Sequence, residues 1–125
     1  MLSQADVLRA RVRQFAIRVL KFVRTLPREP ASDTAARQLA RSGTSVSANY
    51  HAAGRARSRA EFIAKLGLVV EEADESQHWL FIVRESRLAQ GAELEWLLGE
   101  SGELLAIFSK SLRTARLNNP ARTRR

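Results

Sequence analysis

Apolar side chains recur every three or four residues along almost the whole chain. In the first segment these side chains are Leu8, Val12, Phe15, Val19, Phe22 and Leu26. This spacing places them on one face of an α-helix, where a partner helix can cover them. The alternation of apolar and polar residues that marks β-strands is not sustained anywhere, and no Asn-Gly or Asp-Gly hairpin turn occurs. The pattern therefore predicts an all-α protein.

Breaks in this periodicity divide the chain into four helices with short connections. The predicted helices cover about residues 3–26, 32–53, 58–88 and 92–118. Pro27 and Pro30 interrupt the first connection, because proline cannot continue the helical hydrogen-bond ladder. Gly54 ends the second helix, and Ser58 with Glu61 predicts a capping box that starts the third. Short connections favour antiparallel neighbours, so we predict an antiparallel, up-down-up-down four-helix bundle.

The second predicted helix is rich in small residues, among them Ser42, Gly43, Thr44 and Ser45. Glycine and serine are poor helix formers, so their presence needs another reason. We interpret them as a sign that the backbone of this helix lies close to a neighbouring helix.

The composition is that of one soluble domain. A chain of this length fits a single bundle, predicted to occupy residues 1–119, with a basic, disordered tail at residues 120–125. There is no cysteine, which excludes disulfides and thiolate metal sites. No apolar run approaches the roughly 18 residues of a membrane span, and the first residues do not form a secretory signal. We therefore expect a cytoplasmic protein with no membrane partner.

Charge is unevenly distributed along the chain. The net charge is +8, with +9 in residues 1–59, −7 in residues 60–109 and +6 in residues 110–125. Either the basic and acidic segments pair within or between subunits, or the basic surface attracts a polyanion. The charge distribution alone leaves both interpretations open.

The acidic residues are concentrated in the third predicted helix, in the run Glu71, Glu72, Asp74 and Glu75. This run is either a solvated face or a set of partners for arginines of an adjoining helix or subunit. The two tryptophans, Trp79 and Trp96, are interpreted as core or interface anchors rather than as base-stacking platforms.

The residues required for catalysis or metal binding are not assembled in this sequence. Glu75 and His78 have the Glu-x-x-His spacing of di-iron bundles, but the other histidine, His51, lacks the matching glutamate. There is no cysteine nucleophile, no identifiable triad and no glycine-rich phosphate loop. We therefore expect no catalytic residue, no metal, no cofactor and no small-molecule substrate, and we predict that the protein is not an enzyme.

Basic residues at two places are candidates for contact with nucleic-acid phosphates. Three lie on a flank of the first helix and three at the turn between the second and third helices. They are Arg11, Arg18, Lys21, Arg55, Arg57 and Arg59. The turn precedes a helix N-terminus, whose free N–H groups favour anions. Two alternatives stay open: an ordinary exposed turn, or a protein-interaction adaptor with no nucleic-acid role.

Four segments of the chain resemble a known family. They are RSGTSVSANY at residues 41–50, RARSRAEFIAKLG at 55–67, EEADESQHWL at 71–80 and LLAIFSKSLRTAR at 104–116. Together they resemble the bacterial 23S ribosomal-RNA intervening-sequence proteins, and the resemblance covers nearly the whole chain. It implies an up-down-up-down bundle and a homopentamer, and it supplies no catalytic residues to carry over.

The accessory variability proteins of diversity-generating retroelements are similar to that family. They form a basic pentameric barrel that binds nucleic acid and a reverse transcriptase. The resemblance therefore implies a homo-oligomer whose further partner is RNA or DNA. Residues and resemblance together lead to the hypothesis of a homo-oligomeric helical scaffold that binds RNA non-specifically through backbone phosphates.

Overall fold

Four α-helices pack side by side in alternating directions. The computed structural model describes residues 1–118, with α1 (Gln4–Val23), α2 (Pro30–Gly54), α3 (Arg59–Glu85) and α4 (Ala92–Leu117). No strand occurs among these residues. The predicted all-α, up-down-up-down four-helix bundle is confirmed. The basic tail predicted at residues 120–125 lies outside the described residues.

Each helix packs against the helices that precede and follow it in the chain. The α2–α3 interface is the most extensive, and α1 and α4 close the bundle through the smallest of the four interfaces. Arg11 pairs with Glu100, whereas the later Arg18 pairs with the earlier Glu93, so α1 and α4 run in opposite directions. Over residues 1–118, none of the helices is long and apolar enough to cross a membrane.

The predicted apolar stripe forms the centre of the bundle. In α1, Val12, Phe15 and Val19 are at most 1% exposed. Buried side chains of the other helices complete the core and include Leu39, Val46, Leu66, Val69, Leu80, Leu97, Leu104 and Phe108. Burial of each such side chain contributes about 1.5–3 kcal/mol, so the stripe is the main source of stability.

Two of the small residues of α2 lie against neighbouring helices. A close approach to one neighbour was predicted, and it occurs with both α1 and α3. A Cβ atom added at Gly43 would lie 2.9 Å from Val19 Cγ1 of α1. At the interface with α3, Ser42 and Ser76 of α3 are fully buried, and the Ser76 hydroxyl donates to the Ser42 hydroxyl over 3.0 Å. These short side chains allow α2 to approach α1 and α3 closely.

The start of α2 differs from the prediction. The helix begins at Pro30 rather than near Ser32, so the assignment of this proline to the preceding loop is wrong. Proline suits the first position of a helix, because its ring fixes a helical φ and its missing N–H would have no partner there. Ser32 is buried in the first turn, where its hydroxyl donates to a carboxylate oxygen of Glu29 over 3.3 Å.

One of the two hydrogen bonds of the capping box predicted at the start of α3 is present. The Ser58 hydroxyl oxygen accepts the backbone N–H of Glu61 at 3.0 Å. The Glu61 carboxylate accepts the N–H of Arg57 at 3.0 Å, one residue earlier than a capping box requires. The cap therefore extends into the α2–α3 turn and holds its backbone.

A left-handed residue follows the end of α3. Arg87 has a φ of 62°. The N–H groups of Arg87 and Leu88 bind the carbonyl oxygens of Arg84 and Val83 at 3.1 and 3.0 Å. This is a Schellman motif, in which glycine is the favoured residue at the left-handed position.

We expect Arg87→Gly to raise the free energy of unfolding by about 1 kcal/mol, because glycine adopts a positive φ without the steric cost of a side chain. Urea denaturation of the wild type and the variant measures the change. Arg28→Gly, in the other loop at this end of the bundle, is the control and should not stabilise, because its φ is not positive. A midpoint for Arg87→Gly at or below that of the wild type would contradict the expectation.

Candidate nucleic-acid interface

Three exposed arginines lie at the turn that joins α2 to α3. Arg55 follows the last residue of α2, Arg59 is the first residue of α3, and Arg57 lies between them. Arg57 lies 3.8 Å from Glu61, but its side chain is 91% exposed, so this ion pair contributes little. Arg55 and Arg59 form no ion pair with a carboxylate of residues 1–118. The turn therefore presents cations to solvent.

The last turns of α4 bring further cations to the same end of the bundle. Arg59 and Lys110 line one cleft together with the start of α1. Arg113 and Arg116 line a second cleft together with Val70 of α3. We call these exposed cations the basic end, which comprises Arg55, Arg57, Arg59, Lys110, Arg113 and Arg116.

The sequence-based prediction did not include the three α4 residues of the basic end. A signal for them was present, because residues 110–125 carry six basic residues and no acidic one. In an antiparallel bundle the end of α4 lies beside the start of α3. This places the segment near the turn with Arg55, Arg57 and Arg59, which we call the arginine turn.

Two carboxylates lie close to the basic end, and both have local partners. Asp6 accepts hydrogen bonds from the backbone and hydroxyl of Ser3 and pairs with Arg9. These contacts lower the pKa of Asp6, with the Ser3 hydroxyl as the largest cause. Glu61 accepts the N–H of Arg57. The remaining cations of the basic end are therefore not neutralised by these two carboxylates.

Arg11 lies in the interface between α1 and α4 rather than on a free surface. Its guanidinium donates two hydrogen bonds to Glu100, from Nε to Oε2 at 2.8 Å and from Nη2 to Oε1 at 2.7 Å, and a third to Glu103 at 2.9 Å. Glu100 is only 9% exposed. The bonds to Glu100 raise the pKa of Arg11 above its ordinary value. Arg11 therefore holds α4 against α1.

Arg18 forms a second link between the same two helices. Its Nε donates to Glu93 Oε2 over 3.0 Å, and its central carbon lies 3.3 Å from the centroid of the Trp96 ring. The hydrogen bonds between the pair raise the pKa of Arg18 and lower the pKa of Glu93. One face of the Trp96 ring is therefore covered by the guanidinium at the α1–α4 interface, and a base cannot stack on that face.

We expect the Arg18–Glu93 pair to make the stability of the fold sensitive to acid. Because Arg18 lowers the pKa of folded Glu93 below its unfolded value of about 4.5, the ionised carboxylate stabilises the fold above that pH. The contribution is lost as the pH falls through the folded pKa. Arg18→Gln should therefore show a smaller decrease in Tm than the wild type between about pH 5 and pH 3.

Arg13→Gln is the control for this measurement, since Arg13 is exposed on the same helix and forms no ion pair within residues 1–118. Its profile of Tm against pH should follow that of the wild type. Equal decreases in the wild type and Arg18→Gln would show that the pair contributes nothing.

The six predicted contact residues do not lie on one surface. Arg11 and Arg18 are engaged with carboxylates of α4. Lys21 lies at the opposite end from the arginine turn, where it lines a cleft with Phe22 and the start of α4. The role of these residues in nucleic-acid binding stays a prediction, and the arginine turn is where three of them lie together.

The acidic run of α3 is partly paired with an arginine and partly solvated. Arg41 of α2 donates to Glu72 over 3.0 Å and also binds Glu75. Glu71 and Asp74 are exposed. Half of the run therefore pairs with a neighbouring helix of the same chain, and the other half faces solvent.

Metal ligands are not gathered in the described part of the chain, where no group of three or more His, Asp or Glu side chains is placed to hold an ion. Glu75 binds Arg41. His78 is exposed, and its ring meets the edge of Trp79, with 5.2 Å between centroids. In the Glu-x-x-His pair, the glutamate therefore contacts a neighbouring helix and the histidine faces solvent.

Most of the chain matches one protein family. The family described as 23S rRNA-intervening sequence protein matches residues 7–110. The chain belongs to the 23S rRNA-intervening sequence protein family. The resemblance carried by the four sequence segments is thereby confirmed. The description of the family names no catalytic activity.

A solved structure of similar sequence has the same fold. It is the crystal structure of a protein of unknown function from the S23 ribosomal protein family of Bacteroides thetaiotaomicron, with 28% sequence identity and a TM-score of 0.80. The similarity covers 89% of this chain and 99% of that chain. Comparison with curated proteins gives no match.

The basic end lies partly within the residues that match the 23S rRNA-intervening sequence protein family. The arginine turn and Lys110 fall inside the matched range, whereas Arg113 and Arg116 follow it. The basic end is therefore formed mainly by the family-matched part of the chain, and the last turns of α4 add two further cations.

Proposed function

We propose that this family member is a cytoplasmic, homo-oligomeric helical scaffold that binds RNA non-specifically through backbone phosphates. The observation that carries the proposal is the basic end. Exposed cations of the α2–α3 turn and of α4 lie together there, and the two nearby carboxylates have local partners. Exposed lysines and arginines bind phosphates irrespective of sequence and release counterions when they do so.

The composition of the basic end favours contact with the backbone rather than with bases. The two clefts at the basic end have no aromatic side chain in their linings. Single-strand readers stack bases on aromatic rings, which these residues do not provide. Affinity should therefore vary little with RNA sequence and strongly with salt.

The arginine turn provides the main test of the proposal. We expect the variant with Arg55, Arg57 and Arg59 replaced by alanine to bind RNA more weakly across all sequences. Loss of three phosphate contacts should reduce the slope of log affinity against log salt by about 2, because each contact with a single strand contributes roughly 0.7. Filter binding at several salt concentrations measures both quantities.

A second triple variant controls for net charge. Replacement of Arg24, Arg28 and Arg37 by alanine removes the same charge from exposed positions towards the opposite end of the bundle. This variant should keep a slope close to that of the wild type. Equal losses in the two variants would reject the basic end as the site, and wild-type affinity that does not fall with salt would reject phosphate binding altogether.

Exposed apolar side chains support the proposed self-association. Ile17 and Leu20, one turn apart on α1, are 42% and 44% exposed, and Phe81 and Ile82 on α3 are each 40% exposed. Exposed apolar patches often mark protein contacts. The resemblance implies a homopentamer, and light scattering of the purified protein tests this. A mass equal to that of one chain would reject it.

The same apolar side chains favour a second candidate function, a protein-interaction adaptor with no nucleic-acid role. In that case the arginines contact subunits or a protein partner. Pull-down from nuclease-treated lysate distinguishes the two functions, because a protein partner survives the nuclease and a partner bridged by RNA does not.

A further inference from the structure

We propose that the cleft between the start of α1, the start of α3 and the end of α4 binds the terminal phosphate of an RNA strand. The proposal rests on RNA binding at the basic end and assigns one chemical group to one part of it. Arg59 and Lys110 are the cations that line this cleft, which we call the phosphate cleft.

The phosphate cleft arises from the unequal lengths of α1 and α4. Starting from the Arg11–Glu103 pair, α1 extends back seven residues to Gln4, whereas α4 extends 14 residues onward to Leu117. The last turns of α4 therefore run past the start of α1. Thr114 and Ala115 on α4 line the space that α1 leaves. The volume of the cleft is about 540 Å³, within the range of pockets that bind small molecules.

The charges around the phosphate cleft favour an anion. Arg59 and Lys110 form no ion pair with a carboxylate of residues 1–118, and no acidic residue lines the cleft. Gln4 and Arg59 are the first residues of α1 and α3. These two N-termini are capped by Ser3 and Ser58, and the C-terminal turn of α4, which has the opposite partial charge, also lines the cleft. The positive charge of the cleft therefore comes from Arg59 and Lys110. Thr114 adds a hydroxyl group to the lining.

Two cations in a concave space match a terminal phosphate better than an internal one. A phosphate monoester carries roughly −1.5 to −2 charges at pH 7, whereas an internal phosphodiester carries one. The end of a strand can enter the cleft, but the phosphates of a duplex lie on a convex surface and reach only its rim. Ile107 is the largest apolar residue of the lining, so an adjoining base has no aromatic ring to stack on.

The test is a competition experiment with the full chain and one short single-stranded RNA sequence. A labelled strand is displaced by unlabelled strands that carry a 5′-phosphate, a 3′-phosphate or no terminal phosphate. We expect a phosphate at one or both ends to improve competition about tenfold, the effect of one charge-assisted contact. Lys110→Gln should remove this preference, because it takes one of the two cations from the cleft.

Arg113→Gln is the matched control. This variant removes the same charge from the same helix, one turn further on, but Arg113 lines the other cleft. Because Arg113 belongs to the basic end, the variant should bind every strand more weakly, whereas the preference for a terminal phosphate should persist. Circular dichroism confirms that both variants are folded. Equal competition by the phosphorylated and unphosphorylated strands, or loss of the preference in both variants, overturns the phosphate cleft and leaves RNA binding at the basic end intact. If no strand binds at all, the proposed function fails together with this inference.

Discussion

Replacement of Arg11 by methionine is expected to lower the free energy of unfolding by about 3 kcal/mol. In the wild type the carboxylate of Glu100 is only 9% exposed, and the variant removes its two guanidinium hydrogen bonds. Removal of one partner of a buried pair costs roughly 3–5 kcal/mol, because the other charge stays desolvated. The partial exposure of Arg11, 30%, places the expected value at the lower end. Urea denaturation followed by circular dichroism measures it.

Two further variants distinguish the buried charge from a general effect of substitution in α1. The double variant Arg11→Met with Glu100→Leu should recover most of the stability, since it leaves no unpaired carboxylate in the interface. Arg13→Met, on the exposed side of α1, should change the free energy by less than about 0.5 kcal/mol. A comparably small effect of Arg11→Met would show that Glu100 is adequately solvated without its partner.

Replacement of Gly43 by alanine should destabilise the bundle by about 2 kcal/mol, although alanine is the better helix former by about 1 kcal/mol. The added Cβ would lie between 2.9 and 3.1 Å from three carbon atoms of Val19. Val19 is fully buried and β-branched, so its side chain cannot rotate away and α1 must shift. Overpacking of this kind costs up to about 3 kcal/mol, which exceeds the gain in helix propensity.

Gly99 provides the matched comparison within the same protein. A Cβ atom at Gly99 meets nothing within 4 Å, so Gly99→Ala should stabilise by about 1 kcal/mol through helix propensity alone. The two glycine substitutions are therefore expected to have opposite signs in thermal denaturation. In the background of Val19→Ala, Gly43→Ala should cost much less. Stabilisation by Gly43→Ala in the wild-type background would contradict the close approach of α1 and α2.

The helices could be predicted because their signals are local. The spacing of apolar residues in α1 and the Ser58 cap of α3 depend only on neighbouring residues, and both are confirmed. The start of α2 was predicted incorrectly, because Pro30 fits either a loop or the first position of a helix, and the sequence does not distinguish them. Tertiary packing of the first turn, where Ser32 is fully buried, distinguishes these alternatives in the folded protein.

The arrangement of the charged residues could be predicted only in part. The arginine turn is continuous in sequence and was found. The partners of Arg11 lie at least 89 residues away in the sequence, and those of Arg18 lie at least 75 residues away. Whether these residues meet depends on how α1 and α4 are rotated in the bundle. No local pattern identifies such pairs. Lys110 could be placed near Arg59 only after the antiparallel topology was known.

The small α1–α4 interface has a consequence for how the chain reaches this structure. The three larger interfaces join helices that are consecutive in the chain, so their contacts close short loops at little entropic cost. Bundles dominated by such local contacts fold quickly. The α1–α4 interface must instead bring the two ends of the bundle sequence together. We therefore expect helical hairpins to assemble early and the docking of α1 on α4, through Arg11 and Arg18, to be the last step of folding.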